Sequence, residues 1–253
     1  MESLQSRFFK LLMKITRQKD FWMLTGKDFE KALYKNSQQE HTPPKGIYKS
    51  VNVNSDEFEG FNYYILSPKR GKSKRRIFYI HGGGFVYEMN PLHWKFLAKL
   101  CKTLKMEIAV PIYPLLPEYT YEDAYPFVFN LYIKELEKVD NPEDMVLMGD
   151  SAGGGFALSL AQYFKKNDVK QPGDIVLLSP TVDLTLKNKA MDVVDKNDPI
   201  LSKPGILEVR KLYGNSLDPK SCKASPLYGD LEGLGEITVF IGTYDILYPD
   251  TKN

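Results

Sequence analysis

The feature that most constrains this sequence is an alternation of strand-length and helix-length segments that begins at Ile80. Apolar runs at 107–112, 144–148, 174–178 and 236–241 have strand length, and the stretches between them are long enough for helices. Helices are predicted near 92–104, 122–138, 151–166 and 204–213. Strands joined by such crossovers pair in parallel, with helices on both faces of the sheet. The pattern predicts an α/β fold with a doubly wound, mostly parallel sheet that binds ligands at the carboxyl ends of its strands.

The segment before Ile80 has a different pattern, with short β-rich runs and no helix-length segments between them. Short β-rich runs at 48–53, 61–66 and 76–80 predict three strands. Six basic residues lie between Lys69 and Arg76, in the connection between the second and third runs. A charged turn of this kind is usually solvated, so we predict no function for it.

Residues 1–45 are predicted to form a helical cap segment that precedes a core at 46–253. Apolar residues recur there at helical spacing, with basic residues between them: Leu4, Phe8, Leu11, Leu12 and Ile15. We expect the apolar face of this helix to pack onto the rest of the protein. Contact with a membrane or lipid surface is the alternative.

Composition narrows the class of protein. The 253 residues carry a formal charge of +2, which gives no reason to expect nucleic acid or a membrane as partner. No run approaches the roughly 18 apolar residues of a membrane span. The two cysteines are predicted to be reduced, and the start of the chain lacks an uninterrupted apolar block typical of a secretory signal. We therefore expect a single-domain cytoplasmic protein that acts on small molecules.

The stretch GDSAGG, residues 149–154, lies between a predicted strand and a predicted helix. A sharp turn from strand to helix needs small neighbours, and it exposes the serine at the top of the sheet. It also directs the first N–H groups of the helix at the site, where they can bind a developing anion. Ser151 is therefore a candidate nucleophile. A glycine-rich helix N-cap is the alternative.

The stretch HGGGF, residues 81–85, follows the strand at 76–80. Consecutive glycines let backbone N–H groups converge on an oxygen. The combination of such a loop with a GxSxG turn is typical of lipases and esterases. Gly83 and Gly84 are therefore candidate oxyanion donors, together with Ala152.

These two motifs resemble those of the α/β-hydrolase superfamily, and in particular the bacterial esterases related to hormone-sensitive lipase. The resemblance covers about residues 46–250 and includes PIYP at 111–114, SPTVD at 179–183 and GTYD at 242–245. It implies hydrolysis of carboxylic esters by a Ser, Asp, His triad, without a cofactor or a metal. It also implies an N-terminal helical cap over the acyl pocket.

The resemblance assigns roles to individual residues. Ser151 would be the nucleophile and Asp245 the acid that orients a histidine. His81 would hold the oxyanion loop in shape, and Asp150 would brace the turn through hydrogen bonds. Asp183 is interpreted as structural or as a contact to the cap.

The triad histidine is the point where this sequence departs from the pattern. In this fold the order is Ser, Asp, His, and no histidine follows Asp245. The three histidines are His41, His81 and His93, and none is a good candidate base, with His93 interpreted as a surface or helix-capping residue. We expect the final strand and helix of the fold to be missing from this chain, which would leave the strand at 236–241 at an exposed edge.

Three functions stay open at this stage. The leading hypothesis is a serine carboxylesterase for small acyl esters, with an acyl-enzyme on Ser151, that is crippled in this chain by the missing histidine. A hydrolase-like ligand-binding protein without catalysis is the main alternative, and an amidase or peptidase is the third. A homodimer through the edge strand or the cap is the one protein partnership we consider, and membrane contact is not expected.

Overall fold

The computed structural model describes residues 3–39, 42–214 and 216–252, and for residues 5, 6 and 9 it describes the backbone only. The helices are α1 (Leu4–Ile15), α2 (Asp20–Met23), α3 (Gly26–Ser37), α4 (Pro91–Leu104), α5 (Tyr121–Leu136), α6 (Ala152–Lys166), α7 (Ala190–Asp195), α8 (Lys203–Tyr213) and α9 (Tyr248–Thr251). The strands are β1 (Val51–Phe58), β2 (Phe61–Pro68), β3 (Arg76–Ile80), β4 (Glu107–Pro111), β5 (Met145–Asp150), β6 (Asp174–Leu178) and β7 (Glu236–Phe240).

The strands form one sheet in the order β1-β2-β4-β3-β5-β6-β7. The pairs β1–β2 and β2–β4 are antiparallel, and the other four pairs are parallel. This confirms the predicted α/β class with a mostly parallel sheet. The hairpin of β1 and β2 forms one edge of the sheet. Strand β3 lies at the centre, with three strands on each side.

The register brings the carboxyl ends of the central strands level with one another. Ile80 of β3 lies opposite Gly149 of β5, and Asp150 lies opposite Leu178 of β6. Leu178 in turn lies opposite Phe240 of β7. The loops that follow these strands therefore open at the same edge of the sheet.

The predicted strand at 48–53 is wrong in its position. Residues Lys45–Lys49 form a 3-10 turn, and β1 runs from Val51 to Phe58. Positive φ angles at Glu59 and Gly60 make a two-residue turn, so β1 pairs along its full length with β2. The hairpin register, which depends on the partner strand, sets the limits of β1.

The basic cluster before β3 contains a residue that the sequence analysis misjudged. Arg76 is buried, and its guanidinium forms ion pairs with Glu107 and with Glu135, the latter at 2.7 Å. Lys138 completes the group at 2.5 Å from Glu135. A buried charge is tolerated when it is paired and hydrogen-bonded, so Arg76 is a structural residue that ties β3 to β4 and α5.

The N-terminal segment is anchored at Trp22. This side chain is buried against the first glycine-rich loop, and the backbone of Trp22 lies against α8 at Gly205. Helix α1 behaves differently, since Leu4, Leu11 and Ile15 are exposed. The prediction that the apolar face of α1 packs onto the protein is wrong for these residues.

Within the described ranges, no helix combines the length and the apolar character that crossing a membrane requires.

Candidate active site

Ser151 occupies the turn between β5 and α6 in a conformation that few residues adopt. Its φ is +51° and its ψ is −120°. An L-residue with positive φ is strained and persists only where its surroundings enforce it. Here the Ser151 N–H donates to the carbonyl of Leu178 at 2.8 Å, and the Ser151 carbonyl accepts from Gly155 and Thr181 at 3.1 and 2.9 Å.

Two glycines make this turn sterically possible. A Cβ on Gly149 would lie 2.3 Å from the carbonyl oxygen of Gly153, and a Cβ on Gly153 would lie 2.1 Å from the carbonyl oxygen of Ile80. Both distances are far below van der Waals contact. The absence of side chains at these positions therefore lets α6 start directly against the end of β3.

The loop after β3 presents its backbone to the same region. The φ angles are +114° at Gly83, +61° at Gly84 and +60° at Phe85. The Gly83 carbonyl accepts hydrogen bonds from Val86 and Tyr87 at 3.1 and 3.0 Å. These bonds fix the peptide planes of the loop.

The fixed peptide planes determine where two N–H groups point. In a trans peptide the N–H points away from the C=O of the same peptide. The Gly84 N–H therefore points away from the turn at Val86, and the Ala152 N–H points away from the body of α6. The first helical turn of α6 leaves the Ala152 N–H without an acceptor inside the helix.

Asp150 connects the two motifs. Its carboxylate accepts from the Gly82 N–H at 2.8 Å, from the Tyr79 hydroxyl at 2.5 Å and from His93 Nε2 at 3.1 Å. Burial by itself raises the pKa of Asp150, but these contacts, His93 foremost, outweigh burial and hold the pKa below its ordinary value. The ionised carboxylate therefore links the serine turn to the glycine loop.

Asp245 lies in the loop between β7 and α9. Its Oδ1 accepts from the Leu247 N–H at 2.9 Å. Burial raises the pKa of Asp245; the Leu247 N–H and the Ser179 hydroxyl lower it, and the charge of Asp198 raises it further. The net pKa is above the ordinary value. Asp198 itself is held by the N–H groups of Ile246, Ile200 and Leu201.

Both described histidines have hydrogen-bond partners other than Ser151. His81 is buried, its Nδ1 donates to the Gly82 carbonyl at 2.7 Å, and its ring stacks on Tyr113. His93 Nδ1 accepts from the Asn90 N–H at 3.1 Å, so its Nε2 carries the hydrogen that it donates to Asp150. His41 lies outside the described residues.

One open cleft of about 1080 Å³ joins most of the predicted site residues. Ser151, Asp245, Gly83, Gly84 and Asp150 line it, and so does His93. Ala152 lines instead a cavity of about 30 Å³ on the inner side of the turn, with Phe85, Phe156 and Tyr213. His81 is fully buried and is not among the residues that line the cleft.

Sequence reasoning missed several residues of the cleft. His93 forms the capping box of α4 with Asn90, which agrees with its interpretation as a helix-capping residue. Its contact with Asp150 carries no local signal. The contact of Trp22 with Gly84 carries none either, because 62 residues separate them.

Fold and cleft together define a class of protein. A mostly parallel sheet carries a strained serine on a strand-to-helix turn, beside a glycine loop, with an aspartate in the same cleft. The chain belongs to the alpha/beta hydrolase fold family, whose model matches residues 77–253.

Two curated proteins are similar in sequence to this chain. An esterase of Acinetobacter venetianus is 33% identical over 177 residues, which are 70% of this chain and 58% of that protein. A triacylglycerol lipase of Mycobacterium tuberculosis is 29% identical over 191 residues, which are 75% of this chain and 39% of the lipase. The chain thus spans between about two fifths and three fifths of these relatives.

A solved structure from Staphylococcus aureus, of a protein assigned as an esterase, is similar to this chain with a TM-score of 0.85 and 29% identity. The match covers 91% of this chain and 79% of the other. The similarity to this family confirms the predicted α/β-hydrolase fold.

Proposed function

We propose that this chain is a serine hydrolase of carboxylic esters in which Ser151 forms the acyl-enzyme. The observation that carries the proposal is the strained Ser151 at φ +51°, placed in one cleft with Gly83, Gly84 and Asp245. A strained serine on a strand-to-helix turn is typical of a nucleophile turn. The esterase and lipase relatives support the same reaction class.

The proposed chemistry follows from the orientation of the groups. Ser151 Oγ attacks the ester carbonyl carbon, and the N–H groups of Gly83, Gly84 and Ala152 stabilise the oxyanion. The alcohol then leaves, and water hydrolyses the acyl-enzyme. His81 and Asp150 keep the loop in shape through the hydrogen bonds described above, and Asp245 would orient a histidine base.

Removal of the hydroxyl proton of Ser151 limits the expected rate of hydrolysis by this 253-residue chain. A serine hydroxyl is a poor nucleophile without a base. The described histidines have their nitrogens engaged elsewhere or are buried away from the cleft. Removal of the histidine from a serine hydrolase lowers turnover by about 10⁶-fold, so we predict only trace hydrolysis by this chain.

The test is hydrolysis of 4-nitrophenyl acetate by the wild type, by Ser151→Ala and by Ser37→Ala. Ser37 is half-buried on α3 and does not line the cleft. We expect a small rate for the wild type and Ser37→Ala, and a rate at buffer background for Ser151→Ala. Equal rates for the wild type and Ser151→Ala would contradict ester hydrolysis by Ser151.

The second candidate is a non-catalytic ligand-binding protein. The engaged nitrogens of His93 and the buried ring of His81 favour it. It predicts saturable binding of an intact ester in the cleft, measured by calorimetry, with no release of alcohol after long incubation. Release of alcohol that depends on Ser151 would exclude it.

The acyl group of the substrate and the type of bond that is hydrolysed are part of the same proposal. We propose an ester with a small acyl group, as the resemblance to the bacterial esterases related to hormone-sensitive lipase implies. An amidase uses the same groups for acyl transfer, so the assay should include the matching anilide. The cytoplasm stays the predicted compartment, on the sequence grounds given above.

A further inference from the structure

Helix α1 carries an exposed apolar arc that nothing in the proposed reaction uses. The exposed fractions are 83% at Leu4, 57% at Leu11 and 68% at Ile15. Their spacing of seven and four residues puts all three on one side of a helix. Single exposed apolar side chains are common on proteins, but a contiguous set marks a surface that meets an apolar partner.

The opposite side of α1 faces the cleft. Lys10 and Met13 are among the residues that line the cleft with Ser151. The Lys10 ammonium lies 3.8 Å from the centroid of the Tyr244 ring, which belongs to the same loop as Asp245. The helix thus lies at the mouth of the cleft and turns its apolar arc away from the protein.

The charge of α1 is of one sign. Between residues 3 and 19 the sequence contains five basic residues, Arg7, Lys10, Lys14, Arg17 and Lys19, and no acidic one. Lys19 forms an ion pair with Asp195 at 2.8 Å, which fixes the end of this segment to the last residue of α7. Arg7 and Lys14 are exposed, and the helical spacing places both along one edge of the apolar arc. Their stems can lie along an apolar layer while their charges reach anionic headgroups.

We propose that α1 docks on the surface of an anionic lipid layer, with the arc of Leu4, Leu11 and Ile15 in the interface and Arg7 and Lys14 on the headgroups. An apolar stripe bordered by cations is the pattern of helices that lie in a membrane interface. Docking in this orientation places the mouth of the cleft at the lipid surface. The proposal goes beyond ester hydrolysis, because binding to lipid needs no chemistry at Ser151.

A second copy of the chain fits this surface less well. Two-fold pairing through α1 would bring the same patch of each copy together. In an antiparallel pair of α1 helices, Arg7 and Lys14 of one copy would approach the same cations of the other, and α1 has no acidic residue to compensate. A lipid layer with negative headgroups complements both features, because its apolar layer can bury the arc and its headgroups can pair with the cations.

The experiment measures sedimentation of the 253-residue protein with vesicles of phosphatidylglycerol and with vesicles of phosphatidylcholine. The variants are Leu11→Gln, Arg7→Gln with Lys14→Gln, and the control Leu104→Gln. Leu104 is also an exposed leucine on a helix, at 44%, but it ends α4, whose other end lies at the cleft. Circular dichroism and light scattering of each variant establish that it is folded and report its oligomeric state.

We expect binding to phosphatidylglycerol that exceeds binding to phosphatidylcholine at least tenfold and weakens as salt increases. Leu11→Gln should lower the affinity at least fivefold, and the double charge variant at least tenfold, while Leu104→Gln and Ser151→Ala bind like the wild type. Equal binding of Leu11→Gln and Leu104→Gln would overturn the proposal. So would a wild-type dimer that Leu11→Gln dissociates while vesicle binding is unchanged or absent. None of these outcomes alters the esterase assay, so the two proposals fail separately.

Discussion

At the scale of single residues, the serine turn depends on the absence of side chains at particular glycines. We predict that Gly153→Ala destabilises the fold by at least about 2 kcal/mol, as overpacking of a rigid backbone does. The new Cβ would lie 2.1 Å from the Ile80 carbonyl and 2.4 Å from the His81 carbonyl. Urea denaturation measures the change.

Gly154→Ala is the matched control in the same helical turn. Its Cβ would lie 3.0 Å from Pro180 Cβ, 3.1 Å from Pro180 Cα and 3.2 Å from the Gly149 carbonyl oxygen, so these neighbours need to move by only a few tenths of an ångström. Alanine also has the higher helix propensity, by about 1 kcal/mol. We expect Gly154→Ala to change the stability by less than about 1 kcal/mol. Equal losses for the two variants would contradict the steric explanation.

Asp245 opposes folding when it is ionised, because its pKa is raised in the folded protein. The pKa of the carboxyl in the unfolded chain is about 4. Because the pKa is higher in the folded protein, the protonated carboxyl stabilises the fold below pH 4, and this stabilisation is lost as pH rises through the folded-state pKa. Asp245→Asn removes the charge and keeps an acceptor for Leu247. We expect its melting temperature to exceed that of the wild type by about 2 to 4 °C at pH 7, the change that about 1 kcal/mol gives for a chain of this size. The gain should vanish by pH 3.

We expect Asp195→Asn to change the melting temperature in the opposite direction. Burial by itself raises the pKa of Asp195, but the Lys19 ammonium, the Lys203 N–H and the Ser202 hydroxyl lower it below the ordinary value. This carboxylate stabilises the fold above pH 4 and loses the effect as pH falls through its folded pKa. The variant should therefore melt below the wild type at pH 7. Thermal melts of both variants from pH 3 to 8 separate the two curves.

At the scale of elements, Trp22 joins the N-terminal segment to the glycine loop. Its ring edge approaches Gly84 so closely that a Cβ there would lie 2.3 Å from it, and Phe21 packs edge-on at 5.3 Å. We predict that Trp22→Ala costs about 3 to 5 kcal/mol, as for other buried tryptophans. It should also speed hydrogen exchange in residues 20–37 and 82–88.

Met23 provides the control for this prediction. It follows Trp22 in α2 and is exposed. Met23→Ala should change stability by less than about 0.5 kcal/mol and leave exchange in the glycine loop unaltered. Similar exchange profiles for the two variants would show that Trp22 does not anchor the loop.

At the scale of the whole molecule, the sheet ends at β7, which has no strand on its outer side among the described residues. Phe240 is 59% exposed there. An open apolar edge favours pairing with another chain, and we propose that two copies associate along it. Phe240→Lys should weaken self-association at least tenfold in sedimentation velocity over a concentration series. Leu231→Lys, at an exposed leucine before β7, should not, and a monomeric wild type would contradict the proposal.

The sequence by itself determined the class of the fold and indicated where its candidate active site lies. The alternation of apolar runs with helix-length segments depends on local periodicity, and the predicted limits of β3 and β6 agree with the structure. The glycines of residues 149–154 and 82–84 predicted a turn and a loop for the same reason. Backbone conformation at glycine depends on its own missing side chain and can be inferred locally.

Only the tertiary structure decided which distant residues meet. The burial of Arg76, the bond between His93 and Asp150 and the contact of Trp22 with Gly84 each join elements far apart in the chain. The sequence predicted that the apolar face of α1 packs onto the protein, and the structure instead exposes Leu4, Leu11 and Ile15. The physical reason is the same in each case: burial and pairing depend on the partner that folding brings near, and periodicity within one segment carries no information about that partner.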